Sequence, residues 1–430
     1  MAQQSGVGRG AHLARTGVDR SFQRVGTSRF QTIGLIQSQA DQNQSTRKKM
    51  MTWNFWAGAA FVTGVAVCGL VWLTGKPANL DVLEQPACGS LVSTADMQVS
   101  RAAHTATALP DGRVLVVGGF SEEEESPNGA EMYDPHRRKF FPMAPMVTPR
   151  HSHTVTLLPD GKVLIAGGYG KGSVMLAAAE LYDPATNSFV QTGSLAAPRA
   201  NHVAVLLHNG KVLLTGGEGP GWAMHSSAEV YDPATGKFSP TGSMTTARGG
   251  HVAVRLQDGR VLVVGGHNGR RGNLTILASA EIFDPATGVF SRTGDMSVRR
   301  HKHDGVLLGD GQVLVTGGSD EHDDRGVYNS TELFNPKTGR FVAGPVMKVG
   351  RYKHAGSSLL LPSGLVLIAG GAPQAETYDA VNRKFVLVSG EARLAGHFSA
   401  VALLRSGGVL ITGGYGNDTG PRSSAWLYLP

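Results

Sequence analysis

The sequence predicts an all-β fold, a single seven-bladed β-propeller over residues 89–430, and three observations carry that prediction. Gly-Gly pairs recur at Gly118-Gly119, Gly167-Gly168, Gly216-Gly217, Gly265-Gly266, Gly317-Gly318, Gly370-Gly371 and Gly413-Gly414, at intervals of 49, 49, 49, 52, 53 and 43 residues. A period of this length marks a repeat architecture. Before each pair runs a short β-branched segment such as Val114 to Val117 or Val163 to Ala166, too short for a helix and apolar throughout, as in a strand buried on both faces. Upstream of each lies a second apolar segment that opens on histidine and closes on a hairpin turn, as in HTATALPDG, HTVTLLPDG and HVAVRLQDG. The two segments are therefore antiparallel neighbours.

The rest of the unit follows in order. A third strand reads Ala-Glu-x-Tyr/Phe-Asp-Pro at Glu131, Glu180, Glu229 and Glu281, with relaxed copies at Glu332 and Glu376. DPATG-type turns then lead into a fourth strand containing Phe189, Phe238, Phe290 or Phe341. Four antiparallel strands in about fifty residues make one propeller blade. After Gly414 the chain reaches Ala425-Trp426-Leu427-Tyr428 and ends without a fourth strand, so Gly89 to Met97, which looks like the Gly-Ser-Leu and Gly-Ser-Met endings of other units, is expected to complete the last blade. A six-bladed ring is the alternative if the short sixth unit merges with a neighbour.

These units resemble kelch repeats, and the likeness covers essentially all of residues 97–430. It is closest to the bacterial form of the family, whose units read HTATLLPDGRVLVVGG followed by AELYDPATG. The resemblance implies a propeller of the kelch and galactose-oxidase-like superfamily, some of whose members are sugar mutarotases or copper radical oxidases. The oxidase site implied by that kinship needs a cysteine joined to a tyrosine, and no cysteine follows Cys88. Copper radical chemistry is therefore not expected. Neither is any cofactor or metal.

Charge and cysteine content exclude further classes. The formal charge of +7 is concentrated in residues 1–52, which hold eight Lys/Arg against two acids, whereas the remainder carries 32 basic and 31 acidic groups. The propeller has no electrostatic reason to bind nucleic acid. With only Cys68 and Cys88 in the chain, no disulfide framework supports the fold. Residues 1–49 read as a disordered basic tail, or as untranslated sequence upstream of Met50 or Met51. Residues 53–74 form an uncharged run after Arg47-Lys48-Lys49, long enough to span a bilayer of about 30 Å as a signal-anchor. The basic flank predicts a cytoplasmic N-terminus and an extracytoplasmic propeller. If the run is instead a cleaved signal, the protein is secreted. Residues 75–88 are a linker.

Function is expected where the repeats differ. Arginine stands three residues before histidine in Arg101/His104, Arg150/His153, Arg199/His202, Arg248/His251, Arg300/His303 and Arg351/His354, with Arg393/His397 stretched by one. A position repeated in every unit solves a shared packing problem, so these residues and the glutamates are read as scaffold. The two residues inside each Arg/His pair should approach the channel on the face that carries the long loops. His151, Asn201, His301, Lys302, Tyr352 and Lys353, joined by Arg270 and Arg271, form a candidate mouth for an anionic or polar ligand. The acidic stretch Asp320, Glu321, Asp323 and Asp324 does not match an EF-hand spacing and reads as a solvated loop.

The expected function is a non-catalytic protein- or glycan-binding module in the bacterial envelope. A sugar mutarotase using His151, His301 and Tyr352 is the enzymatic alternative. A structural scaffold of an envelope complex is the third. No Gly-x-Ser-x-Gly elbow, His-Glu-x-x-His helix or Walker-type loop is present.

Overall fold

The computed structural model describes residues 89–122, 129–270, 272–390, 394, 396–416 and 419–430. Seven four-stranded antiparallel sheets are formed, each by strands that follow one another in sequence except the last, and in the fourth a two-stranded hairpin of His267–Asn268 and Thr275–Ile276 is inserted between the second and third strands. Blade 1 comprises Thr105–Ala108, Val114–Val117, Ala130–Asp134 and Lys139–Pro142. Blades 2 to 6 repeat this plan over 154–191, 203–240, 252–292, 304–343 and 358–387, and blade 7 over 400–429. The first strands of successive blades pack side by side around the channel. The short sixth unit is a blade of its own, which removes the six-bladed alternative.

Blade 7 is closed as the truncated C-terminus predicts. Ser90–Ser93 supplies its outer strand, pairing antiparallel with Ala425–Leu429 in the register Leu91 to Tyr428 and Ser93 to Trp426. The register sharpens the sequence comparison: Met97, whose N–H donates to the Ser423 carbonyl, stands where Leu195 and Met244 stand in other units, while Gly89-Ser90-Leu91 begins the strand itself. Leu91 also joins the apolar cluster between blades 6 and 7.

Apolar residues of the second strands, such as Leu115 and Val117 against Val163 and Ile165, form the core between neighbouring blades. The aromatic of each third strand packs on the phenylalanine of the fourth, with ring centroids 4.8 Å apart for Tyr133 and Phe140 and 4.9 Å for Tyr182 and Phe189. The Gly-Gly pairs have a steric cause. Gly118 and Gly119 both have positive φ, and a Cβ on Gly118 would lie 2.4 Å from the Arg150 carbonyl oxygen of the next blade. Glycine is thus the residue that lets adjacent blades close together.

The repeated charged residues are scaffold, as their regularity predicts. Arg150 is fully buried, pairs with Glu180 at 2.7 Å and donates to the Gly167 and Ala178 carbonyls. Glu180 in turn accepts the N–H groups of Val147 and Thr148. The same pairing joins Arg101 to Glu131, Arg199 to Glu229, Arg248 to Glu281, Arg300 to Glu332 and Arg351 to Glu376. The histidines link blades through a hydroxyl on the preceding blade. His202 Nε2 meets Thr154 Oγ1 at 2.9 Å, His251 meets Thr215 and His104 meets Thr412. Burial first, then the neighbouring arginine, lowers the pKa of His104, His202 and His354 to about 3, so these imidazoles are neutral.

Blade 7 corrects one part of the sequence reading. Arg393 lies outside the described residues, and His397 does not take the scaffold histidine's place. Ser399 does, since a Cβ on Gly414 would meet Ser399 where one on Gly119 meets His104. Gly396 holds the arginine position, its carbonyl accepting the Gly371 N–H as Arg150 accepts that of Gly119. Trp426 replaces the glutamate, opposite Ile411 as Glu131 is opposite Val116. With no carboxylate to pair, a buried arginine would be an uncompensated charge. The loss of the glutamate and that of the arginine are therefore one change. The anchor assigned to residues 53–74 lies outside the described residues, among which no helix is long and apolar enough to cross a membrane.

Candidate functional site at the channel mouth

The second residue inside each repeat pair forms the rim of the channel. Ala103 N–H donates to the Phe398 carbonyl, Ser152 to Ala103, Asn201 to Ser152, Gly250 to Asn201, Lys302 to Gly250, Lys353 to Lys302 and Phe398 to Lys353, at 2.8 to 3.3 Å. The seven bonds close on themselves. Every one of these residues has φ between 51° and 56°, a left-handed conformation that costs a non-glycine residue about 1–2 kcal/mol. The closed ring of bonds holds it in place. Asn201, Lys302 and Lys353 line the channel cavity of about 340 Å³ together with Glu218 and His267.

The first residue of each pair does something different. His151, His301 and their counterparts bridge the residue after the glycine pair, as His151 with Tyr169, Ala200 with Glu218, Gly249 with His267, His301 with Ser319 and His397 with Tyr415. Blade 6 lacks this bridge among the described residues. Consequently the eight candidate residues do not form one cluster. Asn201, Lys302 and Lys353 face the channel, His301 is buried beneath the blade 5 loop, and Tyr352 lines a separate cleft between blades 5 and 7. Arg270 lies over the Trp222 ring at 5.8 Å, while Arg271 falls outside the described residues.

Two chains of side chains run around the mouth from Tyr169. One is aromatic: Trp222 to Tyr169 at 6.1 Å, Tyr169 to His151 at 5.1 Å, His151 to Phe120 at 5.6 Å, Phe120 to Tyr415 at 6.1 Å and Tyr415 to His397 at 5.3 Å. Lys353 Nζ ends this arc, bonded to Tyr415 Oη at 2.7 Å and 5.0 Å from the Tyr352 ring centre. Burial lowers the Lys353 pKa and raises that of Tyr415 to about 12.

The other chain is charged. Tyr169 donates to Glu218, Glu218 Oε1 lies 3.7 Å from His267 Nε2, and His267 Nδ1 lies 3.5 Å from His301 Nδ1. Asp323 then accepts from His301 Nε2 at 3.4 Å and from Lys302 at 2.6 Å. Burial raises the Glu218 pKa and lowers that of His267 to about 4. Burial also acts to raise that of Asp323, but hydrogen bonding from His301 and the Lys302 charge outweigh it and hold the carboxyl well below its usual range.

Tyr169, Glu218, His267 and Tyr415 were not among the candidates read from sequence. Their shared signal is position, since each directly follows a glycine pair.

Two stretches of the chain match a known motif. The profile of the Kelch motif family matches residues 101–147 and 248–297, which are blades 1 and 4 with their approaches. These stretches carry kelch motifs within a chain whose repeated units fold as a seven-bladed propeller. Two galactose oxidases of Gibberella zeae are 33% identical to it over 109 residues, 24% of this chain and 14% of theirs. The match thus spans about a seventh of those enzymes. Among solved structures, a fungal alcohol oxidase of the AA5 family in complex with copper superposes with a TM-score of 0.64 at 14% identity, covering 80% of this chain and 76% of the other. The structure of YjhT superposes with a TM-score of 0.54 at 17% identity, covering 69% of this chain and 99% of the other. At such identities the likeness is one of fold.

The kelch propeller's residues do not fit a copper radical centre. No cysteine lies in residues 89–430 to join a tyrosine. The imidazoles of the mouth face each other, with His301 Nε2 on the Asp320 carbonyl and Asp323. Among the described residues, the one group of three potential ligands is Asp320, Glu321 and His322. It is largely exposed, and His322 is bonded to Asp320 within it.

Proposed function

We propose that this kelch propeller is a non-catalytic binding module that takes a protein or glycan on its loop-bearing face, displayed outside a membrane by the anchor at residues 53–74. The aromatic arc from Trp222 to Tyr415 carries the reading. Aromatic side chains offer large contact area with few torsions to immobilise, and Trp, Tyr and Arg dominate recognition surfaces. Here they form one continuous path ending beside Lys353, and Trp222, 44% exposed at its tip, carries Arg270. The test is a glycan array and a capture of envelope proteins with the full-length protein, repeated with Trp222→Ala and Lys353→Ala. Binding is expected to weaken at least about tenfold in each variant; unchanged binding in both would remove the arc from consideration. For display, N-terminal sequencing of the mature protein should find residues 53–74 retained, and a mature start beyond them would replace anchoring with secretion.

A second reading, an enzyme of sugar-mutarotase type, is favoured by Glu218. Burial raises the pKa of this carboxyl, and it stands 3.7 Å from His267 Nε2, whose Nδ1 lies 3.5 Å from His301 Nδ1, the grouping of acid and base side chains that proton transfer would need. Polarimetry of freshly dissolved aldoses separates the readings: catalysed mutarotation that disappears in Glu218→Gln would make the module an enzyme.

A further inference from the structure

We propose that the cleft between the loops of blades 5 and 7 is a binding site for an uncharged hydroxyl-bearing ring, a glycosyl unit. The inference rests on the reading of the loop face as a binding surface and names its ligand class. The cleft is a direct result of chain length. The glutamate follows the second glycine by twelve positions in blades 1 to 3, but by five in blade 6. The missing loop leaves a cavity of about 510 Å³, within the range of about 300–1,000 Å³ usual for small-molecule sites.

Its floor is made by two buried polar side chains, Tyr352 and His397, 4% and 7% exposed, with ring centroids 4.7 Å apart at a steep angle. His397 Nδ1 is buried with no hydrogen-bond partner among the described residues, and Tyr352 lines the cleft beside it. A buried polar group left unpaired costs about 1–3 kcal/mol, so this floor is complete only when something with hydroxyl chemistry enters. His397 holds the position of His151 and His301 in blades 2 and 5, and the short blade 6 loop leaves it facing the cleft.

The electrostatics select against charge. Burial lowers the His397 pKa to about 4 and raises that of Tyr352, so both are neutral hydrogen-bonding groups near pH 7. Asp324 and Arg422 stand on the two rims. Their opposite charges offset each other, so the rim gives no net pull to an anion or a cation, while a hydroxyl can donate to Asp324 or accept from Arg422. Ala372 and Leu394 supply apolar wall for the C–H face of a ring. A sugar hydroxyl can accept from Tyr352 while donating to the imidazole.

The test is titration of the full-length protein with a panel of methyl hexosides and methyl N-acetylhexosaminides, followed by ligand-observed NMR. Tyr352→Phe keeps the ring and removes the hydroxyl, and Val327→Trp fills the cleft from its wall. Near-UV circular dichroism and thermal melting verify that both variants are folded. Binding of at least one neutral glycoside is expected, weakened about tenfold by Tyr352→Phe and abolished by Val327→Trp. Glycoside binding unaffected by either variant would overturn the cleft while leaving the loop face as a binding surface. Preference for uronic acids or amino sugars over neutral glycosides would overturn the ligand class. If no glycoside binds at tens of millimolar, the inference fails whatever the array and capture experiment with Trp222→Ala shows.

Discussion

Blades 2 and 7 share a backbone and differ in what fills it. Blade 2 buries Arg150 against Glu180 and directs His153 to Thr105 of blade 1. Blade 7 has Gly396 and Trp426 in place of the ion pair and Ser399 in place of the histidine, with Trp426 packed in the apolar cluster that also holds Leu91, Ile411 and Leu394. The same seam can therefore be closed by a satisfied charge pair or by hydrophobic packing. In blade 7 the histidine at the position of His151 and His301, His397, stands on the floor of the cleft.

Acidification should affect the regular blades most. The folded pKa values of His104, His202 and His354 lie near 3, below the ordinary value of 6.5. Between those values the unfolded chain binds more protons than the folded one, so stability falls as pH drops below about 6.5. Each such group contributes up to ~1.4 kcal/mol per pH unit, and a loss of several kcal/mol is expected by about pH 5. Urea unfolding followed between pH 7.5 and 5 measures it; a flat profile would mean that the histidines are not buried neutral groups.

Next in size is Glu180→Ala, which leaves Arg150 buried without its partner. It should cost about 3–5 kcal/mol in urea unfolding. Adding Arg150→Met should restore much of that loss, because the pair then approaches the apolar solution of blade 7; a double variant as unstable as the single one would contradict the comparison.

Thr154→Val removes the hydroxyl facing His202 and is expected to cost about 1–3 kcal/mol. The smallest effect is a gain. His303 has no hydrogen-bond partner for either ring nitrogen among the described residues, and Val264 stands where Thr215, Thr316 and Thr412 stand in other blades. Val264→Thr should add about 1 kcal/mol, read as a higher melting temperature, and no gain would show that a hydroxyl at that position cannot reach the ring.

Sequence by itself determined the fold and the scaffold. The Gly-Gly period, the hairpin turns and the missing last strand pointed to seven blades, with six as the alternative, closed by a strand within Gly89 to Met97, because each signal comes from local backbone chemistry repeated along the chain. The buried arginines and glutamates were legible for the same reason. The mouth was legible only in part: Asn201, Lys302 and Lys353 do face the channel, but His301 and Tyr352 do not. Their direction depends on which residues the closed backbone ring turns inward and which the loop bridges turn away, and neighbours in the ring come from different blades. His397 was misread because Arg393 and His397 imitate the motif in sequence. Only the packing of Gly371 and Gly414 against Gly396 and Ser399 decided which residues occupy the seam and which histidine is left at the cleft.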